Sequence, residues 1–191
     1  MKADITDSEC IEQLKKEVTN KYKSINGMIL AAGILEVKNF KNTTLEDWNR
    51  TLEINLTANY MICKALVDNI IACGGGHIIF IGSVMSKVAG YDLLTYSVSK
   101  AGVAHLAANL ALDLLNEEIY VNCICPGFMN TEMYQKVNQA PEKNINWIHT
   151  LAGLKNKFVR IEDIVNLIYF LINQQSINGQ AIIVDNGYSI R

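Results

Sequence analysis

The chain has 191 residues, of which 50% are hydrophobic and 19% charged, so it is long and apolar enough to bury the core of one globular domain. Its formal net charge of −2 and its scattered lysines and arginines argue against a surface that binds nucleic acid or anionic lipid. The most apolar stretches, such as Ile164 to Ile172, are too short to span a bilayer, so we expect no membrane partner. The odd number of cysteines fits a reducing, cytoplasmic location.

The cysteines and histidines predict no metal site. The five cysteines lack the CxxC pairs typical of structural zinc, and the three histidines are far apart in the sequence. Cys123 and Cys125 are separated by one residue in an apolar run, so on a strand both side chains point to the same face. We interpret them as small buried side chains rather than as a redox pair.

Apolar residues at helical spacing predict four helices. Thr6 with Glu9 has the pattern of a capping box before the first helix, and Thr44 with Asp47 offers a cap for the second. The predicted helices are one of about four turns after Thr6, then Leu45 to about Ala72, Leu94 to Leu115, and Ile161 to Ile172.

Short apolar runs between these helices predict the strands. They are Gly27 to Gly33, His77 to Gly82, Ile119 to Cys125, and Gln180 to Asp185. Strands that alternate with helices pair in parallel, so the pattern predicts a three-layer α/β fold with helices on both faces of the sheet. The long irregular stretch from about Phe128 to Arg160 follows a strand end, where open α/β sheets place ligand loops, and we expect a substrate lid there.

A serine, a tyrosine and a lysine form the candidate catalytic group. Tyr96 and Lys100 are four residues apart on a predicted helix, so they share one face, and a nearby ammonium lowers the pKa of a phenol from about 10. This spacing alone is a weak signal, since chance places such a pair on many surface helices. Ser83 strengthens it, because a hydroxyl at a strand's carboxyl end can bind a substrate carbonyl while Tyr96 protonates the oxygen. The pattern predicts ketone reduction.

Further motifs stand in an order and approximate spacing typical of one enzyme family. They are Ala32-Gly33, Glu53-Ile54-Asn55, Gly82-Ser83, Tyr96-x-x-x-Lys100, and Pro126-Gly127 followed by Thr131, with Asp4-Ile5-Thr6-Asp7, Asn178-Gly179-Gln180 and Asp185-Asn186-Gly187 extending the match. The chain resembles the classical short-chain dehydrogenases/reductases over essentially its whole length. The resemblance implies a Rossmann-like fold, with residues 1–191 as a single domain and the lid at about 128–160 as an insertion.

The resemblance also implies roles for the catalytic residues. Tyr96 would be the general acid/base, Lys100 would lower its pKa and bind the nicotinamide ribose, and Ser83 would orient the carbonyl. Asn55 would hold a water that relays protons to Lys100, although its local sequence equally fits a polar residue that bends a helix.

The implied cofactor is NAD or NADP, without a basis for choosing between them. The cofactor-binding residues that the resemblance implies are Asp4, Ile5, Ala31, Ala32, Gly33, Tyr96, Lys100, Pro126, Gly127 and Thr131. Asp4 would touch the adenine, and Pro126, Gly127 and Thr131 would hold the carboxamide end. On local sequence alone, Pro126-Gly127 is also a plain strand-ending turn.

The family's glycine-rich cofactor turn and its first two βα units have no counterpart in this sequence. Three explanations are open: a start assigned at an internal methionine, a gene fragment, and a functional non-catalytic protein. We favour the first two. The expected fold is therefore an N-terminally truncated Rossmann-like domain.

Two functions follow from the resemblance. The first is an NAD(P)-dependent oxidoreductase that reduces a carbonyl or oxidises a secondary alcohol, similar to 3-oxoacyl-carrier-protein reductases or to sugar and polyol dehydrogenases. Such a protein would bind a small-molecule substrate and form a homodimer or homotetramer. The alternative is a non-catalytic remnant that binds full-length relatives through the helices from Leu45 to Ala72 and from Leu94 to Leu115.

Overall fold

The computed structural model describes residues 3–138 and 158–190, with the side chains of 136–138 left out. The helices of this part are α1 Ser8–Tyr22, α2 Leu45–Leu52, α3 Ala58–Ile71, α4 Leu94–Asp113, α5 Glu132–Asn138 and α6 Ile161–Leu171. The strands are β1 Gly27–Leu30, β2 Gly76–Ile81, β3 Ile119–Pro126 and β4 Ala181–Val184. Within the described residues, none of the helices is both long and apolar enough to cross a membrane.

The four strands form one parallel sheet in the order β1-β2-β3-β4. On one face, Phe80, Cys123 and Cys125 pack with residues of α1, α3 and α4. On the other face, Ile79 and Ile124 pack with residues of α6. The predicted α/β fold, with a parallel sheet and helices on both faces, is confirmed.

The helix starts follow from their caps. Thr44 and Asp47 form the predicted capping box at the start of α2. The predicted cap at Thr6 is wrong: α1 is capped by Asp7, whose carboxylate accepts a hydrogen bond from the Glu9 N–H at 2.8 Å. Thr6 lies one residue before this cap, and its hydroxyl donates to Asp4 Oδ1 at 2.7 Å.

The long helix predicted from Leu45 to Ala72 contains a wider turn. Residues Glu53–Thr57 form a π-helical segment between α2 and α3. Asn55 is fully buried in this segment, and its main-chain carbonyl accepts a hydrogen bond from the Asn59 side chain at 2.6 Å. Side-chain amides thus satisfy backbone groups where the regular helical ladder is interrupted.

The ends of two predicted segments differ from the structure. β1 stops at Leu30, so residues 31–33 lie beyond the strand rather than within it. The stretch predicted as an irregular lid contains α5, and its residues 139–157 lie outside the described part of the chain.

Candidate active site

A cavity of about 280 Å³ opens at the carboxyl ends of the strands, where an open parallel sheet binds ligands. Most of the residues singled out from the sequence line it: Ala31, Gly33, Ser83, Tyr96, Lys100, Pro126, Gly127 and Thr131. The fold therefore brings the serine, tyrosine and lysine into one space, although they come from different elements.

Ser83 is fixed where β2 passes into the next turn. Its backbone is extended, and its hydroxyl accepts a hydrogen bond from the Met85 N–H at 3.2 Å, which caps the 3₁₀ turn Val84–Ser86. The side chain is buried and also hydrogen-bonds the phenol of Tyr96. Ser83 and Tyr96 are thus positioned to contact one substrate oxygen.

Tyr96 lies in the first turn of α4 and is buried. Burial raises the pKa of its phenol, and the hydrogen bond from Ser83 only partly offsets this. The sequence predicted a lowered pKa from the neighbouring lysine. The difference arises because desolvation outweighs the other effects and because Lys100 Nζ lies 5.8 Å from the ring centroid.

Lys100 is buried one turn further along α4, and its ammonium donates a hydrogen bond to the Ile81 carbonyl at 2.8 Å. Burial lowers the pKa of Lys100 to about 8, while the thiols of Cys123 and Cys125 act in the opposite direction. Lys100 is therefore still charged at neutral pH, but its proton is held less firmly than that of a surface lysine.

Asn55 connects α4 to the loop after β1. Its amide donates to the Ile34 carbonyl and to Ser99 Oγ, both at 3.0 Å, and its Oδ1 accepts from the Ile34 N–H at 2.7 Å. Ser99 in turn donates to the Tyr96 carbonyl at 2.7 Å. Asn55 thus clamps the loop beyond β1 to α4, and its part in a proton relay stays a prediction.

Gly33 leaves a narrow space between two polar groups. A methyl group added there would lie 3.1 Å from Asn55 Oδ1 and 3.4 Å from Lys100 Nζ. The absence of a side chain lets a ligand or the backbone approach both groups.

Three of the predicted cofactor residues lie apart from the cavity lining. Asp4 and Ile5 line a separate surface depression with Ile54, and Ala32 is exposed. Their contacts with a cofactor stay predictions.

The sequence left part of the cavity wall unidentified. Leu35, Val84, Met85 and Leu93 line it without having been singled out. Phe128, Met129, Met133 and Tyr134, which also line it, come from the stretch predicted to be a lid. The apolar residues from 35 to 93 belong to no motif, and only their position after strand ends could have indicated them.

Cys123 and Cys125 are both fully buried on one face of β3, as predicted, with their sulfurs 3.7 Å apart. Their position beside Lys100 was not predicted, because it depends on how α4 packs on the sheet. Among residues 3–138 and 158–190, no group of three His, Cys, Asp or Glu side chains is arranged to hold a metal ion.

Sequence comparison identifies the family. A family model described as enoyl-(acyl carrier protein) reductase matches residues 1–189. The chain belongs to the short-chain dehydrogenase/reductase family. This short-chain dehydrogenase/reductase is 31% identical over 189 residues to the 3-oxoacyl-(acyl-carrier-protein) reductase FabG of Buchnera aphidicola subsp. Baizongia pistaciae, covering 98% of this chain and 76% of that protein.

A second relative and a solved structure also match nearly the whole of this chain. The chain is 28% identical to dehydrogenase/reductase SDR family member 6 of Aquarana catesbeiana, covering 98% of this chain and 77% of that one. A short-chain dehydrogenase/reductase structure from Burkholderia xenovorans, described as putative in its title, superposes with a TM-score of 0.91 at 22% identity, covering 100% of this chain and 75% of that one. The latter similarity supports the Rossmann-like fold.

Proposed function

We propose that this chain is the catalytic part of an NAD(P)-dependent oxidoreductase that interconverts a carbonyl and a secondary alcohol. The observation that carries the proposal is that three largely buried side chains, those of Ser83, Tyr96 and Lys100, line one cavity. A buried phenol with a raised pKa is protonated at neutral pH, so Tyr96 is ready to donate a proton to a carbonyl oxygen.

Each residue has a separate task in this mechanism. Ser83 donates a hydrogen bond that holds the substrate oxygen beside Tyr96, and Tyr96 gives or takes the proton. Lys100 stabilises the phenolate left after proton transfer, because a cation in a desolvated cavity interacts strongly with a new negative charge. Asn55 fixes α4 against the loop that carries Gly33.

The cavity fits a nicotinamide cofactor at one end. Gly33 presents bare backbone beside Lys100, and Pro126, Gly127 and Thr131 line the wall after β3. These residues and Ala31 would hold the nicotinamide end, and the bound cofactor would supply or accept the hydride. Neither Asp4 nor another described residue gives a basis for choosing between NAD and NADP.

The wall of the cavity supports an acyl-like rather than a sugar-like substrate. Leu35, Met85, Leu93 and Phe128 offer hydrocarbon to a ligand, and few polar groups accompany them. A polyol would leave several hydroxyls without hydrogen-bond partners against such a wall, at a cost of about 1–3 kcal/mol for each. The relatives named as 3-oxoacyl-(acyl-carrier-protein) reductases agree with this choice.

The first experiment is nucleotide binding by calorimetry on the 191-residue chain, with NADH and NADPH in parallel. Saturable binding of either one, weakened by Gly33→Val, is the expected result. No binding by a folded chain would contradict the proposal for this chain.

Turnover is then compared between an acetoacetyl thioester and a ketose. Tyr96→Phe should abolish reduction of the thioester while leaving the circular dichroism spectrum and nucleotide binding unchanged, because only the proton donor is lost. Tyr91→Phe is the matched control, since Tyr91 is an exposed tyrosine outside the cavity lining. Undiminished turnover in Tyr96→Phe would exclude the mechanism.

The non-catalytic alternative has support from exposed apolar side chains on α3 and α4. Leu112 is 75% exposed, and Tyr60 and Val98 are also open to solvent. Large apolar side chains on neighbouring helices favour a protein interface. The test is light scattering of the chain with and without a full-length family member. A stable monomer that forms no complex would count against this function, whereas Leu112→Lys should weaken a complex that does form.

A further inference from the structure

A buried serine on α4 that the sequence did not single out lies next to the proton-transfer pair. Ser99 comes three residues after Tyr96 and one before Lys100, and it has no solvent exposure. It is not among the described residues that line the cavity, so any effect on a ligand there must act through its neighbours. Its two hydrogen bonds show which neighbours these are.

One hydrogen bond of Ser99 reaches the backbone of the proton-transfer pair. Its Oγ donates to the Tyr96 carbonyl at 2.7 Å. In an α-helix the same carbonyl accepts the N–H of the residue four positions on, which is Lys100. α4 begins without a side-chain cap, and Tyr96 lies in its first turn, where a helix opens most readily. The Ser99 hydroxyl therefore adds a restraint at the peptide group that joins the positions of Tyr96 and Lys100.

The other hydrogen bond of Ser99 leads to the loop after β1. Asn55 Nδ2 donates to Ser99 Oγ at 3.0 Å, and the same side chain binds both backbone groups of Ile34, the residue after Gly33. Asn55 has no solvent exposure either. A continuous line of hydrogen bonds therefore runs from Ile34 to Tyr96 through two buried side chains.

The wider helical turn fixes the position of Asn55. Asn55 is the middle residue of the π-helical segment Glu53–Thr57, and its carbonyl accepts a hydrogen bond from the Asn59 amide at 2.6 Å. Asn59 is 2% exposed, and its own Oδ1 has no hydrogen-bond partner within the described part of the chain. A buried amide oxygen without a partner costs stability, which natural proteins accept mainly at functional sites.

α4 approaches this segment closely because a glycine faces it. A methyl group added at Gly102 would lie 2.8 Å from Leu56 Cδ2, and Leu56 follows Asn55 in the chain. Gly102 is three residues after Ser99, so the two share one face of α4. The missing side chain thus favours the short distance between Ser99 and Asn55.

We propose that Ser99 is a positioning residue that ties the loop after β1 to the helical turn that carries Tyr96. When the loop is held, the Asn55 amide stays on Ser99, and Ser99 keeps the first turn of α4 closed. Nucleotide binding beside Gly33 and the placement of the Tyr96 phenol are then coupled, because both depend on one hydrogen-bonded line. These effects on binding and turnover rest on the proposed function, whereas the tie itself does not.

The tie is tested without nucleotide or substrate, by amide hydrogen exchange and mass spectrometry of the full chain. Ser99→Ala removes both hydrogen bonds and should speed exchange in peptides that contain Ile34 by about threefold or more, although this loop belongs to another element. Ser97→Ala is the matched control on the same helix, because the Ser97 hydroxyl is buried and has no hydrogen-bond partner among the described residues. Equal exchange at Ile34 in the two variants overturns the proposal.

Asn55→Ala breaks the same line from its other side and serves as the second variant where Ser99→Ala does not fold, as judged by circular dichroism. It should speed exchange in peptides that contain Lys100, whose N–H is bonded to the Tyr96 carbonyl. Unchanged exchange at Lys100 would equally overturn the proposal.

Nucleotide affinity tests the coupling. Asn55→Ala and Ser99→Ala should each weaken nucleotide binding by about three- to tenfold, and the double variant should bind about as well as the weaker single variant. The reason is that one break already releases the loop, so a second break removes nothing more. Losses that multiply in the double variant, as they do for independent residues, contradict the coupling.

Turnover separates a positioning role from contact with the substrate. In Ser99→Ala, kcat for the acetoacetyl thioester should fall about tenfold while KM stays within about twofold, because Ser99 does not line the cavity. A raised KM with an unchanged kcat opposes the proposal. Full turnover in Tyr96→Phe, or a folded chain that binds no nucleotide, refutes the proposed function instead, and the exchange at Ile34 still decides the role of Ser99.

Discussion

The centre and the β1 edge of the sheet are built differently. Phe80 of β2 and Ile124 of β3 are fully buried between layers of helices, and each of these strands pairs on both sides. β1 pairs only with β2 among the described residues, and its Ile29 is 53% exposed. Ser83 follows the interior strand β2, and Tyr96 and Lys100 lie on the helix α4 that comes next, whereas Gly33 follows the edge strand β1.

Because of this difference, the two parts of the cavity are held in place in different ways. Ser83, Tyr96 and Lys100 are held by packing and hydrogen bonds that the described residues supply themselves. The loop with Gly33 depends on a short strand and on the clamp of Asn55. We expect substitutions at the centre to change stability, and substitutions at the edge to change nucleotide binding or association instead.

The largest expected effect compares Phe80→Ala with Ile29→Ala. Phe80→Ala removes a buried ring and should lower the free energy of unfolding by about 3–5 kcal/mol. Ile29→Ala should cost less than about 1 kcal/mol, because half of the side chain is already in water. Urea denaturation of both variants measures the two costs. Equal costs would show that β1 is as closely covered as the centre.

Lys100 makes the centre sensitive to pH. Its pKa is about 8 in the folded chain and 10.5 when unperturbed, so between these pH values the unfolded chain binds more protons and stability rises with pH. Relative to Lys100→Met, wild type should gain on the order of 3 kcal/mol from below pH 8 to above pH 10.5. Chemical denaturation of both proteins across this range is the check. A flat difference would mean that Lys100 keeps its ordinary pKa.

Two glycines of the cavity sharpen the comparison. Gly82→Ala forces a methyl group against both buried sulfurs and should cost about 1–3 kcal/mol of stability. The methyl group of Gly33→Ala meets longer contacts, so the loss of stability should be smaller. The main effect of Gly33→Ala should be weaker nucleotide binding. Calorimetry and denaturation on the two variants separate these effects. The comparison fails if Gly33→Ala proves the more destabilising change.

The smallest expected change in stability is for a substitution in the edge strand β1. Ile29→Lys should change the free energy of unfolding by only about 0.5 kcal/mol, since the side chain is half exposed. It should reduce self-association at high protein concentration, because a charge on an edge strand opposes pairing with another strand. Light scattering over a concentration series, with Glu12→Lys on the exposed face of α1 as control, measures this.

Much of the fold could be predicted from local sequence. Periodicity predicted the strands and helices in the right order, and the cap at Thr44 was evident from Asp47 three residues later. The start of α1 was missed because Thr6 and Asp7 are both good caps, and the choice between them depends on where the helical backbone begins, which is at Ser8.

That Ser83, Tyr96 and Lys100 meet at one cavity was predictable from motif and spacing, and their roles in catalysis stay predictions. The raised pKa of Tyr96 was not predictable, because desolvation depends on what packs around the ring. The neighbours of Lys100 were also out of reach, since β3 brings Cys123 and Cys125 to it from more than twenty residues away. Such pairings follow from tertiary packing alone.

The π-helical segment Glu53–Thr57 has a consequence for how chains of this fold are aligned. A π turn accommodates one residue more than the α-helix that would replace it, so a one-residue gap within this segment marks a relative whose helix runs on without the wider turn. In that relative, α3 would keep its orientation with respect to α2, whereas a regular helix with no gap would rotate α3 by about 100°. An asparagine aligned with Asn55 would then face a different neighbour, and sequence identity at that column would no longer mean the same contact.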